Sequence, residues 1–136
     1  MTPNATGLAL LRVVTGAIFT AHGCQKLFEF GFAGVTGYFT QVGAPLPGVS
    51  GPAVAILEFA GGVALVAGLF TRPLGLLFLL DMLGAIVLVR FAGGFFAPDG
   101  FEFELLLAGA AATLALAGGG APSLDAVLAA RRARER

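Results

Sequence analysis

Long apolar stretches alternate along the chain with short segments rich in Gly, Pro or charged residues. A transmembrane helix needs about 20 mostly apolar residues to cross roughly 30 Å of hydrocarbon. Four stretches approach that length, and they lie at about residues 7–30, 52–70, 73–91 and 101–116. The pattern predicts an all-α membrane protein, a single domain over residues 1–136 that folds as a four-transmembrane-helix bundle.

The residues at the ends of these stretches indicate how the spans begin and connect. Thr71-Arg72-Pro73 joins the second and third stretches, and Pro suits the first position of a helix, where its missing N–H is not needed. The second and third spans are therefore predicted to be antiparallel neighbours. No basic residue precedes the first stretch and Arg12 lies inside it, which favours a span over a cleaved signal peptide.

Two segments outside the spans predict helices at the membrane surface. In residues 32–42, apolar residues recur at helical spacing around Tyr38, which predicts a short interfacial helix after the first span. The tail, residues 122–136, begins with Ser123 as an N-cap and Asp125 at the positive end of the helix dipole. Its last six residues include four Arg, so we expect a basic C-terminal surface helix beside anionic headgroups.

The composition supports the membrane class and excludes several others. Apolar residues make up 57% of the chain and charged residues 12%, whereas soluble domains carry about 25% charged residues. With a net charge of zero and no basic stripe, the chain is not expected to bind nucleic acid. Cys24 is the sole cysteine, so no disulfide forms within the chain and no Cys pair is present for a metal or iron–sulfur cluster. The sequence contains no motif for flavin, haem or metal.

The distribution of basic residues predicts the orientation of the chain. An even number of spans places both termini on one side, together with Arg12, Arg72 and the Arg residues of the tail. The other side holds only Lys26 and Arg90 near helix ends. Both termini are therefore expected in the cytoplasm.

Several ionisable residues lie in or beside the predicted spans, and each charge costs about 2.5–3.5 kcal/mol in hydrocarbon. Most of them fall in the half of the bundle farther from the termini. Glu58 and Asp81 are each followed, three and four positions later, by small residues, so both lie on faces where another helix can approach closely. Packing these faces inward would bring the acids together. The full set is Arg12, His22, Lys26, Glu58, Asp81, Arg90, Glu102 and Glu104.

One interpretation of these groups is structural. Buried ion pairs can fix the register of a bundle, and each partner then needs the other. The candidates for such pairs are Arg12, Asp81, Arg90 and Glu104. Arg12 fits either an ion pair with an acid on a neighbouring helix or an anchor at the inner boundary.

The other interpretation is a functional site in the outer half of the bundle. His22, Glu58 and Asp81 are its candidate catalytic residues, because ionisable groups inside a membrane often handle protons or substrates. Lys26 lies one turn from His22 on the same face and fits this site or an interfacial anchor. One His with scattered carboxylates gives no metal-ligand spacing, so no metal site is predicted.

The order and spacing of short motifs over nearly the whole chain resemble the DoxX family of membrane proteins. The chain departs from the family at Arg90, where the family has a His near the end of the third span. The motifs are Leu11-Arg12-Val13 with Gly16 and Phe19, His22-Gly23, Lys26-Leu27, Glu58-Phe59-Ala60-Gly61-Gly62, Gly68-Leu69-Phe70-Thr71-Arg72, Asp81-Met82-Leu83-Gly84-Ala85, Gly94-Phe95-Phe96, Gly100-Phe101-Glu102 and Ser123-Leu124-Asp125.

The resemblance implies a multi-pass protein of the bacterial inner (plasma) membrane. It is similar to DoxD-type subunits of thiosulfate:quinone oxidoreductase, and family members are linked with redox homeostasis and resistance to quinone stress. The leading hypothesis is a quinone-linked redox component or membrane subunit of an oxidoreductase. Its electrons would come from a soluble redox partner protein or directly from a substrate. The candidate residues around the quinone head group are His22, Lys26, Glu58 and Glu102.

Two other function classes remain open. The chain could be a carrier for a small solute or a proton, with Glu58 and Asp81 along its path. It could also be a scaffold that anchors soluble redox enzymes to the membrane. Stripes of small residues on several faces of the bundle favour a homo-oligomer whichever function is right.

Overall fold

The computed structural model describes residues 1–136 and contains helices but no β-strand. Three π-helical turns, at Gln25–Phe30, Leu57–Gly61 and Ile86–Arg90, continue or connect the α-helices, and a 3₁₀ turn follows at Phe91–Gly93. The α-helices are α1 (Pro3–Cys24), α2 (Gly31–Gln41), α3 (Pro47–Ile56), α4 (Gly62–Ala67), α5 (Thr71–Ala85), α6 (Glu102–Ala117) and α7 (Leu124–Arg134). The prediction of an all-α protein is confirmed.

Three helical stretches are long and apolar enough to cross a membrane, by length and composition. They are Pro3–Gln41 with 39 residues, Pro47–Ala67 with 21 and Thr71–Gly93 with 23, and their mean hydropathies are 1.4, 1.8 and 2.2. The fourth predicted span corresponds to α6, which has 16 residues and is shorter than the other three. The segment expected to form an interfacial helix is α2, which a left-handed Gly31 separates from the preceding turn.

Three predicted helix starts are wrong by a few residues, and the first long helix begins at Pro3 rather than at about residue 7. The second long helix begins at Pro47 rather than Pro52, because Leu46 adopts the left-handed conformation and turns the chain just before Pro47. Pro47 then takes the first helical position, which Pro favours. The third long helix begins at Thr71, directly after a left-handed Phe70, so Pro73 is its third residue.

Four helices pack around one apolar core. The chain from α3 to α4 packs along α1, α6 packs along α5 and also contacts α1, and α4 contacts α5. The rings of Phe19 on α1 and Phe78 on α5 stack at the centre, with 3.9 Å between their centroids. The remaining core residues are Leu65, Met82, Leu107, Ala108, Ala111 and Leu114.

Glycines let the backbones approach closely at these contacts. A Cβ on Gly62 would lie 2.6 Å from the Thr20 amide nitrogen of α1, and one on Gly75 would lie 2.6 Å from the Ala115 nitrogen of α6. Neither space holds a larger side chain unless the helices move apart. The small residues after Glu58 therefore form a close helix–helix contact, as the sequence pattern indicates.

The tail folds back onto the end of the bundle where α1 begins. Ser123 caps α7 by accepting a hydrogen bond from the Ala126 amide at 3.1 Å. Asp125 accepts hydrogen bonds from the Phe70 and Thr71 amides, both at 2.9 Å, so a residue of α7 caps the start of α5. The Ala121 amide also donates to the Ala5 carbonyl of α1 at 3.3 Å. The N-terminal end of α1 and the tail therefore lie at the same end of the molecule, which we call the tail end.

Candidate functional site

A cavity of about 330 Å³ lies between the helices at the end opposite the tail. Its walls come from α1, α2, α3, α5 and α6, from the π-helical turns between them, and from the loop at residues 42–45. Most of its lining is apolar, including Phe19, Val54, Met82 and Leu107. Its polar lining residues are His22, Lys26, Tyr38, Ser50, Glu58, Asp81, Arg90 and Glu104.

An ion pair between Lys26 and Glu58 joins the first and second long helices. Lys26 Nζ lies 2.6 Å from Glu58 Oε2. The side chain of Glu58 is 4% exposed and that of Lys26 is 23% exposed, so the carboxylate is the more deeply buried partner. The sequence predicts both residues at the site but not their pairing.

A second ion pair joins Arg90 to Glu104 of α6. Arg90 Nε donates to Glu104 Oε1 at 3.0 Å, and Arg90 Nη1 donates to the Pro98 carbonyl at 3.1 Å. Arg90 thus ties the end of the third long helix to the loop before α6. These two residues were expected in ion pairs, and the structure pairs them with each other.

Asp81 forms no ion pair, so the structural pairing predicted for it is wrong, while its candidate catalytic role stays a prediction. Its carboxyl group lies beside that of Glu58 in the cavity, and its Oδ2 atom is buried without a hydrogen-bond partner in the protein. The two cations of the cavity are already paired with Glu58 and Glu104. Asp81 is therefore the one carboxyl group of the cavity that forms no ion pair, although Lys26 lies close enough to attract it.

His22 lies at the edge of the cavity and is exposed. Its ring is tilted against that of Phe103, with 6.3 Å between the centroids. It lies one turn before Lys26 on the same face, as the spacing predicts. The position suits a group that exchanges protons between the cavity and its surroundings.

Glu102 does not line the cavity, which corrects its assignment to the head-group site. Its Oε1 atom accepts a hydrogen bond from the Ala97 amide at 3.1 Å, so it holds the loop before α6. Glu104 lies two residues later, on nearly the opposite side of the helix, and lines the cavity instead. Helical periodicity separates the two acids, but the sequence does not show which of them faces inward.

Arg12 lies at the tail end and pairs with no carboxylate, so its predicted ion pair is wrong. It is 3% exposed and donates to the carbonyl groups of Gly119 at 2.6 Å, Pro122 at 2.9 Å and Val66 at 3.4 Å. Those carbonyls belong to chain segments where helices end, and such groups lack partners within a helix. Arg12 is a structural residue that ties the tail to the bundle.

The sequence pattern does not predict the three π-helical turns. Lys26, Glu58 and Arg90 each lie in one of them, so three of the cavity's charged residues lie on locally widened helix. π-Helical turns are rare and occur frequently at functional sites. Nothing in a 3.6-residue apolar pattern distinguishes such a turn from ordinary helix.

Three of the cavity's polar atoms form no hydrogen bond within the protein although they are buried. They are Ser50 Oγ, Asp81 Oδ2 and Glu104 Oε2. Buried polar atoms of this kind are uncommon and call for a specific explanation, such as a ligand or a water molecule. No three His, Cys, Asp or Glu side chains converge as a metal-ligand cluster.

Comparison with known proteins identifies the family. The DoxX family model matches residues 7–91. "Putative oxidoreductase CatD" of Bacillus subtilis (strain 168) is 41% identical over 101 residues, which cover 74% of this chain and 72% of CatD. "Inner membrane protein YphA" of Escherichia coli (strain K12) is 33% identical over 124 residues, or 87% of each chain. "Inner membrane protein YqjF" of the same organism is 31% identical over 127 residues, covering 90% of this chain and 92% of YqjF. No solved structure matches significantly.

The family match covers more than half of the chain, and the relatives align over most of their own lengths. Two of them are named inner membrane proteins, in agreement with the three helices here that are able to cross a membrane. The chain therefore belongs to the DoxX family of membrane proteins.

Proposed function

We propose that this protein is a quinone-linked redox component of the membrane, with the quinone head group bound in the cavity. The observation that carries the proposal is the combination of apolar walls with three buried polar atoms that lack partners. A neutral ring with polar oxygen atoms at its edge matches both features. Charged solutes match the apolar walls poorly, because burying an unpaired charge is costly.

The size of the cavity fits a head group better than a whole lipid. Ligand pockets commonly measure about 300–1,000 Å³, and this one is at the lower end of that range. The apolar tail of a quinone would leave along the exposed apolar faces of the helices. Leu80 and Leu88, which line the cavity and are also exposed, provide such a path along the third long helix.

The cavity residues supply hydrogen bonds and protons. A bound quinone accepts two electrons and two protons on reduction. Lys26 donates hydrogen bonds and is held in place by Glu58. His22 can exchange protons at the exposed edge, and Asp81 offers a carboxyl group without a competing cation. These groups are of the types that perform general acid–base catalysis.

The electrons would come from outside the chain. Cys24 is the only thiol and is exposed, so a dithiol relay within this chain is not available. We infer that a soluble redox partner protein or a small reducing substrate supplies them. The name of CatD, which describes that relative as an oxidoreductase, supports a redox role.

We also propose four spans in the bacterial inner membrane, with α6 as the fourth and both termini in the cytoplasm. Two features support this topology. The start of α1 and the tail lie at one end, and that end holds Arg72 and the four Arg residues of the tail. Basic residues favour the cytoplasmic side. Arg132 and Arg134 of α7 would lie beside anionic headgroups.

A carrier for a proton or small cation is the second candidate, and one observation favours it. Asp81 and Glu58 lie together in the cavity, and Asp81 has no cation of its own. A carrier of this kind would lose solute flux in Glu58→Gln proteoliposomes. A scaffold would instead copurify with stoichiometric partner proteins.

Mass spectrometry of the organic extract from gently purified protein tests the quinone proposal. We expect stoichiometric quinone with the wild type and with Glu102→Gln, a matched acid-to-amide change outside the cavity. Glu58→Gln and His22→Ala, shown to be folded, should lose the quinone. Absence of quinone from all four proteins, and no uptake of added short-chain quinone, would reject the proposal.

A further inference from the structure

The charges of the two cations and the two other carboxyl groups around Asp81 sum to zero when Asp81 is left out. Lys26 is paired with Glu58, and Arg90 is paired with Glu104. His22, the remaining ionisable group of α1 in the lining, is exposed at the edge of the cavity, and α2 contributes the phenol group of Tyr38. Asp81 is a third carboxyl group in a cavity whose two cations are already paired with Glu58 and Glu104.

An ionised Asp81 would be unfavourable for two reasons. Its carboxyl group lies beside the Glu58 carboxylate, so the two negative charges would repel each other. Its buried Oδ2 atom accepts no hydrogen bond that would stabilise the charge. A proton on Asp81 removes both problems and turns the group into a hydrogen-bond donor.

Glu58 and Glu104 are poorer candidates for that proton. Glu58 accepts a hydrogen bond from Lys26 at 2.6 Å, and Glu104 accepts one from Arg90 at 3.0 Å. Protonating either acid would leave a cation without its partner. The arrangement therefore favours the proton on Asp81.

We propose that Asp81 carries its proton in the resting protein and donates this O–H to an oxygen atom of the cavity ligand. This inference rests on the proposed function, in which the acceptor is a carbonyl oxygen of a quinone. As a dithiol reductant supplies two electrons, it is oxidised to a disulfide and releases its two protons to water, and Asp81 transfers its own proton to the ligand. Its O–H bond breaks, an O–H bond forms on the ligand oxygen, and Asp81 remains as a carboxylate.

His22 completes the proton balance. Two electrons require two protons, so one more must reach the second oxygen from water. His22 lies at the exposed edge of the cavity and relays that proton. The same route returns a proton to Asp81 when the cycle ends. Asp81 is thus the internal donor, and His22 connects the cavity to the surroundings.

Infrared spectroscopy of the purified protein at neutral pH tests the protonation state directly. We expect a carboxylic acid C=O band that shifts in heavy water and is lost in Asp81→Asn. The band should persist in Glu102→Gln, in which the acid outside the cavity is changed. Asp81→Glu keeps a carboxyl group and should show the band at a shifted frequency. The assignment then does not depend on Asp81→Asn remaining folded. A wild type without the band, or a band lost in Glu58→Gln but kept in Asp81→Asn, would overturn the inference.

Adding a short-chain quinone separates this inference from the proposed function. If the function and the inference are both right, the quinone binds and shifts the Asp81 band. If it binds by mass spectrometry without shifting the band, Asp81 is not its donor, although the proposed function stands. If the band is present but no quinone binds, the protonation of Asp81 stands and the quinone proposal fails together with Asp81's role as its donor.

Discussion

At the scale of single residues, the cavity is held together by charges on different helices. Lys26 and Glu58 join the first and second long helices, and Arg90 and Glu104 join the third to α6. Removing one member of a buried pair leaves the other charge uncompensated, which is more damaging than removing both. The first pair is the more deeply buried of the two.

Lys26→Met should destabilise the protein strongly, by about 3–5 kcal/mol, because it leaves the buried Glu58 carboxylate without its cation. Thermal unfolding in detergent measures the effect. The double variant Lys26→Met/Glu58→Gln should recover most of the loss, and Glu104→Gln should cost less, since its partner Arg90 is 40% exposed. Equal unfolding temperatures for the wild type and Lys26→Met would show that the pair does not stabilise the fold.

The sequence predicted which residue types gather in the outer half but not how they pair. His22, Lys26, Glu58 and Asp81 do line one cavity. The pairing of Lys26 with Glu58 depends on the register between two helices and on π-helical turns, which a linear pattern does not reveal. The sequence predicts an acid as the partner of Arg12, whereas the structure pairs it with carbonyl groups near helix ends. A sequence does not show which carbonyl groups lack partners.

At the scale of the helices, close contacts at glycine set the geometry of the cavity. Gly62 follows the π-helical turn that carries Glu58 and lies against Thr20 of α1. The distance between these two helices determines whether Glu58 reaches Lys26. The sequence pattern predicted the close contact after Glu58 but wrongly expected the same after Asp81, since a Cβ on Gly84 meets nothing within 4 Å. The apolar stretches located the helices to within a few residues.

Gly62→Ala should lower stability by roughly 1–3 kcal/mol, because the added methyl group meets the Thr20 backbone. Thermal unfolding is again the measurement. Gly109→Ala is the matched control, since a Cβ on Gly109 meets nothing within 4 Å and Ala favours helix. If both variants unfold at the wild-type temperature, the close contact between α1 and α4 is not as the structure describes it.

Asp125→Ala should loosen the tail, because two amides at the start of α5 lose their acceptor. We expect a loss of about 1 kcal/mol and faster proteolysis after α6. Asp125→Asn keeps one amide oxygen and should lie between Ala and the wild type. Glu135→Gln, at the end of α7, should match the wild type. Unchanged proteolysis in Asp125→Ala would contradict the capping role.

At the scale of the whole molecule, the basic residues at the two ends have different partners. The basic residues Arg12 and Arg72 at the tail end bond backbone carbonyls, and those at the end of α7 are exposed. Lys26 and Arg90 at the other end are both neutralised by acids. Unpaired positive charge therefore gathers at the tail end, which supports the proposed orientation. The sequence predicted this asymmetry because it depends only on counting charges and spans.

Labelling of single-cysteine variants tests the four-span topology. In a Cys24→Ala background, Thr2→Cys and Ala133→Cys should react with an impermeant maleimide from the cytoplasmic side only. Ala97→Cys, in the loop before α6, should react from the opposite side. An odd number of spans would place Thr2→Cys and Ala133→Cys on opposite sides, and that result would remove α6 as the fourth span.

Photoaffinity labelling with a short-chain azidoquinone shows whether a quinone head group binds in the cavity. We expect cross-links in peptides that contain residues 19–26, 80–90 and 103–107. Excess unlabelled quinone should suppress them, and they should be lost in Glu58→Gln. Cross-links confined to the open apolar groove around Cys24 and Val63, or no competed cross-links at all, would show that the quinone head group does not bind in the cavity.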